Sequence, residues 1–177
     1  MLALSLQELS NVLGGALKEA RDIREFQIKN NKEAPEVLVK SIFIPFEVHL
    51  VVRDVEGLPN GIYRYNIRDH SLLLTQEGLF EKQIVSLGRG QIFLRTAAVA
   101  VFITAVFERY FFRYRHERAF RQLMLTCGEL AHRVILASTQ QGLKTFQSPG
   151  MQDQTVANLL QVNQWEEAPF YMLAIGR

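Results

Sequence analysis

Ala97-Ala98-Val99-Ala100-Val101-Phe102-Ile103-Thr104-Ala105-Val106 runs directly into Phe107-Glu108-Arg109-Tyr110-Phe111-Phe112-Arg113-Tyr114-Arg115-His116-Glu117-Arg118-Ala119-Phe120-Arg121. The first ten residues are apolar on both alternating sets, which predicts a central strand covered on both faces. Beyond the second stretch, Phe120, Leu123, Met124, Cys127, Leu130, Ala131, Val134, Ile135 and Ser138 form one wide stripe. That spacing predicts a long helix crossing the domain, with Gly142 as its stop. The charged and aromatic residues between strand and stripe are read as the opening of the helix. They carry arginines and rings to the mouth of the core, and a site belongs there.

Working outward, Ser5-Leu6-Gln7-Glu8 is a capping-box pattern, and Leu6, Leu9, Leu13, Ala16, Leu17 and Ala20 recur at helical steps. A first helix is expected over 6–20. From Arg21 to Pro35 charge and amides dominate without an apolar period, which predicts a loop or arm. Ile42 to Val55 is β-branched and aromatic, a strand with Pro45 at its beginning or on an edge. Glu47 and His49 share its polar face, as a general base or as a dimer-facing or solvated pair. Gly57-Leu58-Pro59-Asn60-Gly61 supplies turn chemistry before the alternating Ile62–Asn66, so a hairpin is expected, with a third strand at Ser71–Leu74. Later elements are a helix over Leu79–Leu87, a strand at Lys144–Gln147, a helix at Gln152–Leu160 and a last strand at Ala168–Ile175. Trp165 is expected to cap that strand. Such an order points to an α+β fold or a three-layer sandwich in a single domain over residues 1–177.

The totals narrow the function classes. With 48% apolar and 21% charged residues this is globular material, and a net charge of +2 gives no argument for nucleic acid. One cysteine, Cys127, excludes an internal disulfide and a cysteine-based zinc site, and its place in the apolar stripe makes it a packing residue. His49, His70, His116 and His132 are scattered, so no metal site is expected. The start lacks the basic residues of a signal peptide and the longest apolar run is too short to span a bilayer, which makes the cytoplasm the default location. Nucleotide-loop, dinucleotide, zinc-protease and nucleophile-elbow motifs are absent, and Gly88-Arg89-Gly90 is only a fragment. Arginines interleaved with rings in 107–121 have three readings: a solvated helix face with paired charges, a single-strand stacking platform, or an anion or cofactor pocket.

Phe46-Glu47-Val48-His49-Leu50-Val51-Val52-Arg53-Asp54-Val55-Glu56-Gly57-Leu58-Pro59-Asn60-Gly61-Ile62-Tyr63-Arg64-Tyr65 resembles the hairpin block of the SagB-type branch of the nitroreductase family. Arg113-Tyr114-Arg115-His116-Glu117-Arg118-Ala119-Phe120-Arg121 is similar to that branch's Lys-Tyr-Gly-x-Arg-x-Tyr-Arg block, and Glu166–Arg177 to its closing strand. The likeness covers about residues 38–177, with residues 1–37 as an N-terminal helix and arm outside it. It implies a three-layer α+β fold with a mostly antiparallel sheet flanked by helices, a homodimer, and FMN held between subunits. It also implies oxidation of azoline rings in a modified peptide by hydride transfer to the flavin. Tyr114 and Arg113 occupy the positions of the reacting pair, while Arg118, Arg121, Ser41 and Arg177 fall in blocks that contact the cofactor. Two departures stand out. Leu38-Val39-Lys40-Ser41-Ile42-Phe43-Ile44-Pro45 keeps only the last proline of the branch's flavin loop, and Arg113 replaces the lysine with a guanidinium that does not deprotonate. A degenerate, non-catalytic relative that binds a peptide or partners an active subunit is therefore the alternative.

Overall fold

The computed structural model describes residues 3–30, 45–88, 90–111 and 114–177. Its centre is a six-stranded antiparallel sheet in the order β5-β4-β2-β6-β8-β7. The strands are β2 (Phe46–Val52), β4 (Gly61–Asn66), β5 (Ser71–Glu77), β6 (Val99–Val106), β7 (Lys144–Ser148) and β8 (Glu167–Gly176). A separate parallel bridge joins β1 (Leu4–Ser5) to β3 (Val55–Glu56). The α+β class and the antiparallel sheet expected above are what the chain adopts.

Val99–Val106 lies inside the sheet, between β2 and β8, and its first seven residues are buried. Alternate side chains of β6 feed two cores. Val99, Val101, Ile103 and Ala105 meet Leu9, Leu13, Leu123, Ala131 and Val134, whereas Ala100 and Phe102 meet Ile84, Leu87, Val156 and Leu160. The first set belongs to α1 (Leu6–Ala16) and α5 (Arg118–Gln140), and the second to α3 (Glu81–Leu87) and α6 (Asp153–Leu160). Helices on both faces of one sheet make three layers. Cys127 is buried in the first core, where burial pushes its thiol up to about 12, as a packing residue requires.

Ser5 caps α1: its hydroxyl accepts from the Glu8 amide, and the Glu8 carboxylate accepts from the Ser5 amide. The helix does not run on to residue 20. It pauses at Leu17, and α2 (Lys18–Asn30) begins, so the stretch from Arg21 expected as a loop is helical as far as Asn30. Mean polarity hid α2, but the Lys18–Asp22 pair and the contact of Arg133 with Glu19 hold it, and Ala20 and Ile23 pack on the core. Residues 38–44 of the stretch compared with the branch's flavin loop, Ser41 included, lie outside the described residues.

The 107–121 stretch also differs from expectation. Phe107–Phe111 forms a short helix, α4, and the long helix starts only at Arg118. Glu117 is its N-cap in helical geometry without a side-chain cap bond. At the other end Gln141 closes the helix and Gly142 takes φ +70, where a side chain would be strained. Trp165 is 81% exposed and caps nothing.

Candidate functional site

β2 and β8 begin, and β4 and β6 finish, at the same end of the sheet. On the face shared with Val51, Ile62 and Phe102 that end carries Glu47 and His49 from β2, Arg64 from β4, Thr104 from β6 and Glu167 from β8. All seven residues of β2 are buried, so Glu47 (5% exposed) and His49 (3%) are not the solvated pair the alternation allows.

Cations surround the Glu47 carboxylate. Arg109 of α4 donates to Oε1, Arg64 Nη2 lies 3.5 Å from the same oxygen, and Arg24 Nη2 of α2 lies 3.8 Å away. Next to it, Glu167 Oε1 accepts from Thr104 Oγ1 at 2.6 Å and stands 2.9 Å from His49 Nε2. Burial pushes the Glu167 carboxyl up, but the bonds from His49 and Thr104 and the nearby Arg64 charge outweigh it and leave the group below its ordinary value. Arg24 shows the reverse. Burial pulls its guanidinium down, Glu47 opposes, and Arg109 and Arg64 repel.

A shell of aromatic rings lies at the same end of the sheet but packs on the first core, the face opposite the cluster. The Tyr110 and Tyr114 rings are 4.8 Å apart, Phe107 stacks on Phe111 at 6.0 Å, and Phe170 meets both Phe107 and Phe120 at 6.1 Å. The Tyr110 hydroxyl is buried without a hydrogen-bond partner, and burial, then Tyr114, raises its pKa.

The residues expected in a site are partly brought together. Tyr114 is half-buried in this shell, with His116 edge-on at 6.2 Å, while Arg118 and Arg121 are exposed in the first turn of α5. Arg113 and Ser41 lie outside the described residues. Arg177 is far off: it binds Glu8 at 2.5 Å beyond the other end of β8, and ten strand residues put it about 30 Å from Glu167. Arg109 belongs to the 107–121 stretch read as an anion or cofactor pocket, whereas Arg24, Arg64, Thr104 and Glu167 carry no such signal in the sequence. Arg64 was the most accessible of them, since it sits across the hairpin from His49. Arg24 was hidden in a segment without apolar period.

Two surface hollows lie elsewhere. A groove of ≈ 280 Å³ between α2 and α5 has Ala16, Ala20, Ile23, Phe46 and Leu130 as walls and the Glu19–Arg133–Glu129 pairs on its rim. A second, of ≈ 240 Å³, lies by Phe146, Lys144 and Arg177. Neither holds Tyr114. Among the described residues no group of three or more His, Cys, Asp or Glu is placed to hold a metal, and no helix is long and apolar enough to cross a membrane.

The chain is 28% identical to MJ1384 of Methanocaldococcus jannaschii over 174 residues, 98% of this chain and 81% of that one. It is 26% identical to the trifolitoxin operon protein TfxC of Rhizobium leguminosarum bv. trifolii over 179 residues, 98% of this chain but only 50% of TfxC. The chain thus spans half the length of that relative. Its fold matches a chain of the E. coli microcin synthetase McbBCD complex with truncated pro-MccB17 bound, with a TM-score of 0.76 at 21% identity over 99% of this chain and 65% of that chain. The Nitroreductase family pattern itself matches residues 42–177, well over half the sequence. This chain belongs to the nitroreductase family.

Proposed function

We propose that this protein is an FMN-dependent oxidoreductase of the SagB type that oxidises azoline rings in a modified peptide, working as a homodimer. The observation that supports the reading is the end of the sheet shared by β2, β4, β6 and β8, where a cluster of arginines lies over one face and aromatic rings pack on the other. A planar ring with an anionic tail is the kind of group these residues fit. The buried Tyr110 hydroxyl and the Arg24 Nε and Nη2 atoms have no hydrogen-bond partner among the described residues and are suited to its polar atoms. TfxC belongs to a trifolitoxin operon and the McbBCD structure holds a truncated pro-MccB17, which supports a peptide as substrate.

FMN, when bound, supplies the hydride acceptor. This chain's residues position and exchange protons. Tyr114 presents its phenol oxygen as the proton-transfer group, because the guanidinium of Arg113 stays charged and acts as a fixed cation. Arg118 and Arg121 offer exposed cations at the start of α5 for the cofactor's anionic part. Arg177, at the far end of β8, and Tyr114 serve one site only across two subunits. Exposed Met124 (50%), Leu125 (66%) and Leu136 (51%) on α5 give a second copy an apolar surface to cover.

Arg113 in place of lysine favours a second reading, a non-catalytic subunit that binds a peptide beside an active partner. The visible spectrum of the purified chain, with and without added FMN, separates the two. A retained flavin spectrum that an azoline peptide bleaches under anaerobic conditions, and that Tyr114→Phe no longer bleaches, supports the enzyme. No retained flavin refutes it.

A further inference from the structure

Among the described residues the cluster at the sheet end is not balanced. Arg24, Arg64 and Arg109 face two carboxylates, Glu47 and Glu167, which leaves one positive charge over before His49 is considered. The acids are also unevenly shared. Glu167 Oε1 is taken by His49 and Thr104, and the Glu47 carboxylate is drawn to Arg109. Arg24 and Arg64 approach Glu47 only at 3.8 and 3.5 Å, beyond the roughly 2.7–3.2 Å of an N–H···O hydrogen bond. The Arg24 side chain is 11% exposed, and its Nε and Nη2 atoms are buried with no hydrogen-bond partner. A guanidinium fork with unmade bonds, out of water and beside two like charges, is a costly arrangement for a protein to keep.

An arriving anion would complete the arrangement. Arg64, with 42% of its side chain exposed, marks where the cluster meets solvent, and Arg109 at 20% lies behind it. We propose that Arg24, Arg64 and Arg109 form an anion site for a group carrying two or more acceptor oxygens on one centre, a phosphate or a carboxylate. Such a group matches the planar donor fork of arginine, and Glu47 serves to hold Arg109 in place while the other two donors remain for the ligand. The inference rests on residues of this chain and holds whether or not the protein binds flavin.

The test is calorimetric titration of the full chain with inorganic phosphate, and separately with acetate, in a buffer of low ionic strength. Saturable binding near one equivalent is expected for at least one of them. That binding weakens at least tenfold in Arg24→Gln and in Arg64→Gln, and is unchanged in Lys144→Gln at the other end of the sheet. Arg64 is half-exposed, so its variant keeps the test decisive if Arg24→Gln does not fold. FMN and riboflavin then identify the source. Displacement of the bound anion by FMN but not by riboflavin assigns the site to a cofactor phosphate. Binding alongside FMN assigns it to another anion, and a peptide with a free rather than amidated C-terminus competing for the site makes that anion a carboxylate. Either supports the site. Absence of saturable binding of both anions, or equal affinity in Arg64→Gln, overturns it, and neither result bears on whether a flavin spectrum is retained.

Discussion

Glu47→Gln removes the carboxylate at the centre of the cluster while keeping its volume. Glu47 is 5% exposed, and its Oε1 faces Arg109, Arg64 and Arg24. Breaking a buried pair by neutralising one partner costs about 3–5 kcal/mol, because the other charge stays out of water. The Arg64 contact adds little, since that side chain is 42% exposed and solvent screens such pairs to about 0–1 kcal/mol. The glutamine carbonyl still accepts one bond from Arg109, which brings the expected loss to the lower end, about 3 kcal/mol. In a chain of 177 residues that corresponds to a fall in Tm of about 6–12 °C. Urea denaturation followed by circular dichroism measures it directly, provided fluorescence gives the same transition. The cycle with Arg109→Gln is the sharper readout, because residues that bind one another should couple by about 1 kcal/mol or more. A loss below about 1 kcal/mol in Glu47→Gln with additive effects in the double variant would refute the claim that Glu47 organises these arginines.

Glu167→Gln tests the neighbouring group by pH. The folded carboxyl titrates below its ordinary value of 4.5, so its contribution is complete above about that pH and is lost as the pH falls through the lowered folded value. The variant should be less stable than the parent at pH 7 and approach it on acidification; parallel stability curves from pH 7 to 3 count against the pairing. Cys127, pushed up to about 12 by burial, should resist iodoacetamide in the native protein at pH 8 and react fully in urea, as mass spectrometry would show. Gly61→Ala places a Cβ 2.5 Å from the Gln76 carbonyl oxygen and 2.7 Å from Leu74 Cδ1 across the β4–β5 pair. It should cost about 1–3 kcal/mol in the same urea assay, and an unchanged midpoint would contradict the described register.

Elements whose burial alone fixes their pattern were legible in the sequence. Val99–Val106 needs only to be apolar on both sides, and the α5 stripe needs only its period; both stand where expected. What depends on partners from elsewhere in the chain was not. Lys18–Asn30 has little apolar stripe to betray a helix, and it is held by Asp22, by Arg133 and by two small patches of core. The alternation of Glu47 and His49 looks in sequence like a strand with one wet face. The strand is dry on both faces because α2, α4, β4 and β8 bring charges and hydrogen bonds to that side. The break between α4 and α5 interrupts a segment whose residues all suit a helix, and no glycine or proline marks it.

One face of the sheet is thereby divided in two. Along β2, Val51 lies in the apolar core beneath α3 and α6, while Glu47 and His49, two and one alternate positions earlier, lie in the polar cluster. The same division runs along β6, from Ala100 and Phe102 to Thr104. Stability does not account for the polar half, since well-packed apolar side chains in place of a buried ion cluster are commonly as stable or more so. The unmade bonds of Arg24 point the same way, because a cluster selected for stability alone would have closed them. Arg64, with 42% of its side chain exposed, opens this half of the face to solvent, which is where the anion site proposed above lies.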